Sequence, residues 1–371
     1  LNIIKSLGLK QVINGSGKMT SIGVSTASQK VAEAVKEGTQ HFVEIEKMIE
    51  AVGQVIAQET GAEDGCPTCS ASAGISIAVA STIAGENLTL IEKMPNSEGL
   101  KNEIIIQKGQ VINFGGSESQ MIRLGGGKVI EVGSSNVVEY EHIDEAINER
   151  TAALMFVKSH HVQQERGQSL ETMLSIAHKH HLPLILDAAA EEDLKKYIAL
   201  GADIVLYSGA KAIEGPSSGF IAGKAKYMAA AKKQYKGIGR AMKVGKESMA
   251  GLVVALREYH NKFHDPEEQI KSMTIVCDLL NEINGLRCTV KKDDAGREIY
   301  RAQIKVNAEK TGITARKIYE KLVSSDPAIY LRHHFLEQGI ISIDPRTLRS
   351  GQEKIIVHSI KSIITGENRD G

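Results

Sequence analysis

Cysteine is scarce in this chain, four in 371 residues, too few for the disulfide framework that staples small secreted domains. Net charge is missing as well. The 45 Lys and Arg balance the 45 Asp and Glu, which leaves no global field to draw in nucleic acid or an anionic membrane. No apolar run approaches the roughly 20 residues that span a bilayer, and the opening Leu1-Asn-Ile-Ile-Lys5 lacks the charged-then-apolar order of a signal peptide. Internal repeats and low-complexity segments are absent too. What these absences leave is a cytoplasmic protein that handles small polar molecules, without nucleic-acid or membrane partners.

Hydrophobic residues make up 42% of the chain, enough for a sizeable core and two domains. From Gln29 to Thr60 the apolar positions Val31, Val35, Phe42, Ile45, Ile49, Val52 and Ile56 recur at three- and four-residue steps, which predicts helix without a strand between. Between Ala71 and Gly223 short β-rich runs alternate with helical stretches. The runs are Ile104–Ile106, Val129–Val132, Ala153–Val157, Leu184–Leu186, Ile204–Leu206 and Phe220–Ala222. Such alternation predicts an α/β fold whose mostly parallel sheet is covered by helices. After Lys243-Val-Gly-Lys246 the texture changes. Helix is predicted from Glu247 to His264 and from Thr314 to Val323, and strands near Cys288–Val290, Ile299–Val306 and Ile340–Ile343. The expected organisation is therefore an N-terminal segment and large domain over 1–245, followed by a small α+β domain over 246–371.

Two residues stand where ligands bind in such sheets, beyond the carboxyl ends of the strands. Asp187 closes the run Leu182-Pro-Leu-Ile-Leu186, and Lys211 follows Asp203-Ile-Val-Leu-Tyr-Ser-Gly-Ala210. An aspartate and a lysine so placed suit pyridoxal 5'-phosphate (PLP): the lysine amine forms a Schiff base, and the carboxylate keeps the pyridine nitrogen protonated. Small residues fill Thr68-Cys-Ser-Ala-Ser-Ala-Gly74 before the apolar stretch Ile75–Ile83. There Ser70, Ala71, Ser72 and Ala73 could admit a phosphate to unpaired N–H groups at a helix start. Ser208 could add its hydroxyl. Each feature also has an ordinary structural reading. Small residues cap helices, Asp187 could cap a helix opening at Ala188-Ala-Ala-Glu-Glu192, and Lys211 could sit on a surface loop.

The blocks Asn14-Gly-Ser-Gly17, Gln107-Lys-Gly-Gln110, Val132-Gly-Ser-Ser-Asn136, Ser208–Pro216 and Arg240-Ala-Met-Lys-Val244 resemble bacterial selenocysteine synthase, the seryl-tRNA selenium transferase family. Pro327-Ala-Ile-Tyr-Leu-Arg332 and Ile343-Asp-Pro-Arg-Thr-Leu348 extend the resemblance over nearly the whole chain. It implies a fold-type-I PLP enzyme acting as a homodimer or higher homo-oligomer, with the active site at the subunit interface. It further implies Lys211 as the Schiff-base lysine and Asp187 as the pyridinium partner. Within the family, Asp187-Ala-Ala-Ala-Glu191 and Arg240–Glu247 are similar to the branch that includes ammonia-lyases of phosphorylated amino sugar acids. The balanced charge, and a start close to the Asn14-Gly motif that leaves no room for a tRNA-binding domain, argue against a transfer RNA substrate.

The expected reaction is loss of water from a phosphorylated 2-amino-3-hydroxy sugar acid, giving an enamine that hydrolyses to a 2-keto-3-deoxy acid and ammonia. Selenium or sulfur transfer, or aldol cleavage, on the same scaffold is the alternative. A PLP-fold protein that only binds would lack Lys211 or Asp187, and both are present. Lys211 is the economical base, with His160 or His161 as further proton carriers. The substrate carboxylate favours a bidentate partner, and the resembling block Pro327–Arg332 implies Arg332 for that role. Arg240, Lys243 and Lys246 are candidates for the phosphate, and Gln110 for a contact to the cofactor ring. Cys66-Pro-Thr-Cys69 has redox spacing, but no second pair completes a four-ligand zinc site. Reduced structural thiols, and no metal, are expected. Asp293-Asp-Ala-Gly296 reads as a turn between strands.

Overall fold

The computed structural model describes residues 3–159, 161–163, 165–259, 265–293 and 296–366. It divides the chain into two compact units, Leu1–Thr26 with Lys262–Gly371, and Ala27–Asn261. The expected division at residue 245 is thus corrected at both ends, and the reasons are physical. Strand β1 (Val12–Gly15) pairs in parallel with a strand near the far end of the chain, at Ala328–Leu331. The helix Lys246–Tyr259 packs instead on the helix Gln29–Gln40. There Gly38 lets the two backbones approach: a Cβ on it would stand 2.7 Å from the Glu247 Cα.

In the larger unit seven strands form one sheet: β2 (Asp64–Thr68), β3 (Glu103–Gln107), β4 (Lys128–Val132), β5 (Thr151–Val157), β6 (Leu184–Asp187), β7 (Ile204–Ser208) and β8 (Gly219–Gly223). Their order is β2-β8-β7-β6-β5-β3-β4. All neighbours are parallel except β8, which runs antiparallel to both β2 and β7. The apolar runs explain this arrangement. Ile105, Leu154, Leu184, Leu186 and Val205 enter one core cluster, and Ile104, Ile106, Met155, Ile185, Ile204 and Leu206 enter another on the opposite face. A strand buried on both sides reads as an unbroken apolar run, and each such side chain contributes about 1.5–3 kcal/mol.

The helix Ala71–Ala84 shows the same logic in helical form. It packs on β7, β8 and three other α-helices, and ten of its 14 residues are buried. Strand β2 escaped the sequence reading because Asp64-Gly-Cys-Pro-Thr68 holds a proline. As an edge strand it tolerates the missing N–H. The expected continuous helix over Gln29–Thr60 is two, Gln29–Gln40 and Ile45–Thr60, and Phe42 in the break is fully exposed.

The smaller unit carries a three-stranded antiparallel sheet, β9 (Leu286–Lys292), β10 (Tyr300–Val306) and β12 (Ile340–Ile343), in the order β12-β10-β9. The strand β11 (Ala328–Leu331) is the partner of β1. The helix Ala315–Ser324 starts at Thr314, whose side chain caps the Lys317 N–H. Among the described residues no helix is long and apolar enough to cross a membrane.

Candidate active site

Strands β5, β6 and β7 end side by side, and their ends set out the site. Val157 pairs with Asp187, and Asp187 with Leu206. The Asp187 carboxyl is buried, 7% exposed, and its Oδ1 accepts the Ala189 N–H at 2.9 Å. No helix follows, since the next begins at Lys196, so the expected helix cap is a local turn instead. Among the described residues Oδ2 meets no donor. Burial pushes the carboxyl above its ordinary range, opposed by the Ala189 N–H and by the charge of Lys211. Glu191 pushes it further up.

Lys211 lies in the loop between β7 and β8. Gly209 N–H donates to the Ser218 carbonyl at 2.9 Å, and Gly215 N–H to the Gly209 carbonyl at 2.7 Å, which closes the loop at its base. Ala212 and Ile213 are buried beside it, so a half-buried Lys211 is held on a fixed frame. The structure therefore brings Asp187 and Lys211 within electrostatic reach of each other.

A third part lies across β7, β8 and β2. Thr68, Gly219 and Ser208 stand in one row across β2, β8 and β7, and the helix Ala71–Ala84 starts just past Thr68. The Ser70 side chain caps that helix by accepting the Ala73 N–H at 3.0 Å. Ala73 is thereby occupied, while the N–H groups of Ala71 and Ser72 meet no acceptor among the described residues. A Cβ on Gly219 would stand 2.4 Å from the Ser70 carbonyl carbon and 2.6 Å from the Ala71 nitrogen, so only glycine lets β8 lie against the helix start. Open amides at the positive end of a 14-residue helix suit a phosphate. With the uncommitted Oδ2 of Asp187 and the nearby Lys211, the residues present fit PLP.

The other expected residues fall into several places. Gln110 is buried, and its Oε1 accepts the Val157 N–H at 2.9 Å, so its carbonyl continues the end of β5. A cavity of about 310 Å³ opens beside it, lined by Asn136, Lys158, Gln168 and Lys196 among others, but neither Asp187 nor Lys211 lines it. Arg240 and Lys243 are exposed. Lys246 is committed elsewhere, donating to the Gly38 and Thr39 carbonyls at the end of the helix Gln29–Gln40. His160 lies outside the described residues, whereas His161 is exposed and its N–H donates to Ser159 Oγ at 3.2 Å. Cys66 is buried in β2, and burial pushes its thiol up to about 12, which makes it an inert thiol.

Arg332 belongs to the smaller unit, where a charged network surrounds it. Asp344 accepts from Arg301 Nε at 2.8 Å and from Arg346 Nη2 at 2.9 Å, and Asp293 accepts from Arg301 Nη1 at 2.6 Å and Arg297 Nε at 2.8 Å. These arginines hold both carboxyls well below the ordinary range against their burial. Arg332 forms no ion pair among the described residues; burial first, and then the Arg301 charge, bring its guanidinium down to about 10. Asp293 thus anchors an ion-pair network as well as the turn expected from sequence. Beside the network the Asn14-Gly-Ser-Gly17 block folds back on itself, Asn14 Nδ2 donating to the Gly17 carbonyl at 2.9 Å. Gly17, with φ of 87°, packs against Asp344.

Sequence reasoning missed Glu118. It opens the helix Glu118–Leu124, where an acidic residue ordinarily answers the helix dipole in solvent. Here it is 0% exposed, and neither of its carboxyl oxygens meets a donor among the described residues. Burial, with the Asp187 charge added, pushes it up to about 9.

The sheet order, the single antiparallel strand and the site at the strand ends define a fold-type-I PLP-dependent enzyme. Residues 12–316 match the family model of SelA, L-seryl-tRNA selenium transferase, and the chain belongs to that family. It is 44% identical to D-glucosaminate-6-phosphate ammonia lyase of Salmonella typhimurium over 98% of both chains. It is 38% identical to a 5'-C-glycyluridine monooxygenase-decarboxylase of a Streptomyces species, over 96% of this chain and 91% of that one. A solved structure of a D-glucosaminate-6-phosphate ammonia-lyase superposes with a TM-score of 0.93, at 43% identity and 99% coverage of both chains.

Proposed function

We propose that this protein is a PLP-dependent ammonia-lyase that eliminates water from D-glucosaminate 6-phosphate and takes a water back as the resulting enamine hydrolyses, leaving 2-keto-3-deoxygluconate 6-phosphate and ammonia. The observation that carries this reading is the 44% identity to an enzyme so named, over 98% of both chains. PLP, when bound, supplies an aldehyde that takes up amines and a ring that withdraws electrons from the substrate Cα.

The chain's own residues then have separate tasks. Lys211 would hold the cofactor covalently, and its freed Nζ would take the Cα proton and return a proton to the departing hydroxyl. Asp187 Oδ2 would receive the pyridine N–H. The amides of Ala71 and Ser72, with the Ser208 hydroxyl, would hold the cofactor phosphate, and Gln110 fixes the end of β5. Arg332 receives the substrate carboxylate, which supplies the anion its guanidinium lacks. Arg240 and Lys243, exposed past the cofactor loop, are the remaining cations proposed for the substrate phosphate, and His160 a further proton carrier. Exposed Phe42, Val43 and Ile45 support a homo-oligomer, in line with the shared active site expected from the family resemblance. A cytoplasmic location suits a phosphorylated substrate.

A second reading, oxidative decarboxylation of an amino acid, is favoured only by the 38% identity to the Streptomyces enzyme. One experiment separates the two, and also selenium or sulfur transfer and aldol cleavage. The PLP-loaded protein is mixed with D-glucosaminate 6-phosphate without oxygen, and 2-keto acid and ammonia are measured. Equal amounts of each are expected. Turnover that requires oxygen and releases carbon dioxide would overturn the lyase reading.

Two further outcomes follow from the geometry. Gly219→Ala is expected to weaken PLP binding about tenfold, because its Cβ would press on the Ser70–Ala71 backbone and overpacking of this kind costs about 1–3 kcal/mol. Fluorescence titration with PLP measures it. Arg332→Lys is expected to lower kcat/KM about 10- to 100-fold through loss of a paired, charged hydrogen bond. Steady-state kinetics would show that fall mainly in KM.

A further inference from the structure

Glu118 has no task in the reaction above, yet a buried carboxyl without a donor is costly to keep. Its surroundings narrow what it does. The helix Ala71–Ala84, packed against its own, carries no ionisable side chain. Strand β4, also in contact, presents Lys128, paired with Glu103, and Glu131, paired with Lys108. On its own helix Arg123 is exposed. Asp187 is the charged group that acts on it.

Two buried carboxyls in each other's field do not both ionise, and the one with better support takes the charge. Asp187 receives the Ala189 N–H at 2.9 Å and feels Lys211. Glu118 receives neither. We propose that Glu118 is a positioning residue of the cofactor site, a carboxyl kept neutral beside Asp187 so that Asp187 alone carries the charge that meets the pyridine nitrogen. One negative charge matches one pyridinium proton. A second would lock that proton in place, and its arrival on Glu118 up to about pH 9 marks where the balance ends. The inference rests on the PLP reading of Asp187.

Infrared spectroscopy of the cofactor-free protein at neutral pH is the direct test. A C=O stretch from a protonated carboxyl is expected in the wild type, absent from Glu118→Gln and moved by 13C-glutamate labelling. The labelling arm uses the wild type alone, so it does not depend on the variant folding. Glu118→Gln is expected to bind PLP within about threefold of the wild type, because the amide is a neutral isostere. The 15N shift of the bound ring nitrogen should change near pH 9 in the wild type and stay flat in the variant.

Stability gives a signed readout as well. A carboxyl whose folded pKa is raised keeps its proton while the unfolded chain loses its own, so stability falls as pH rises between the two values. The variant should therefore gain several degrees in Tm over the wild type, with the gain growing from the ordinary carboxylate range up to about pH 9. A wild type without the protonated-carboxyl band, or ring-nitrogen titrations identical in both proteins, would overturn the proposal. Failure of the wild type to bind PLP would instead overturn the function proposed above, and the infrared arm tells the two failures apart.

Discussion

Lys211→Ala is expected to cost at least about 10⁴-fold in kcat, since one side chain serves as both the covalent anchor and the proton carrier. Folding should survive. The loop is closed by Gly209, Gly215 and Ser218 backbone bonds and anchored by buried Ala212 and Ile213, none of which the substitution touches. Thermal unfolding of the variant should stay within about 1 kcal/mol of the wild type, as for most substitutions away from a packed core. The wild type mixed with PLP should show a visible absorption band, and borohydride should fix the cofactor to the peptide containing Lys211. The alanine variant should show neither. Partial recovery by a small added amine would separate the proton-transfer role from the anchoring role. A borohydride adduct on another lysine would disprove the assignment.

The loss should extend beyond Lys211 itself, because its charge is one of the two influences that oppose the burial of Asp187. Without it the Asp187 carboxyl is harder to ionise, and the support for a pyridinium weakens too. Asp187→Asn should in turn reduce kcat by about 10²- to 10³-fold, the scale for removing one buried electrostatic partner from a reacting centre. The amide keeps the shape but presents no charge to the ring nitrogen, and PLP affinity should fall with it.

Stability should move in the opposite direction. Burial raises the Asp187 pKa in the folded chain above its unfolded value, so the wild type loses stability as pH rises from the unfolded to the folded value. The asparagine has no such dependence. Without cofactor, Asp187→Asn should match the wild type in acid and exceed it as pH rises through that window, when unfolding is followed by circular dichroism. Saturating PLP should reverse the order, because the wild type gains more from a ligand it binds more tightly. A variant less stable than the wild type at every pH would show that Asp187 is there for packing.

The central strands were legible because burial on both faces writes an apolar run, as in Ile104–Ile106 and Ala153–Val157. Asp187 and Lys211 were singled out by position, each just past such a run. Strand β2 was hidden by Pro67, acceptable only because the strand lies at the edge. The break at Phe42 was hidden since an exposed phenylalanine mimics a buried one in a helical period. Glu118 carried no signal, because an acid at a helix start looks the same whether it lies in water or in the core. Arg301 and Asp344 stand 43 residues apart, and no local pattern announces that they will pair. Lys246 looked like part of a basic cluster until its ammonium was found capping a helix end.

The parallel pairing of Val12 with Ala328 also fixes an order of events during synthesis. The first strand emerges more than 300 residues before its partner, which at about 5–20 residues per second is an interval of about 15–60 s. All seven strands of the large sheet leave the ribosome within that interval. Strand β1 is thus among the last to be satisfied, with Val12 and Ile13 waiting as an unpaired edge. A pause in translation before Ala328 would lengthen that exposure, and a chaperone that binds short extended apolar segments would find its natural target at Val12 and Ile13.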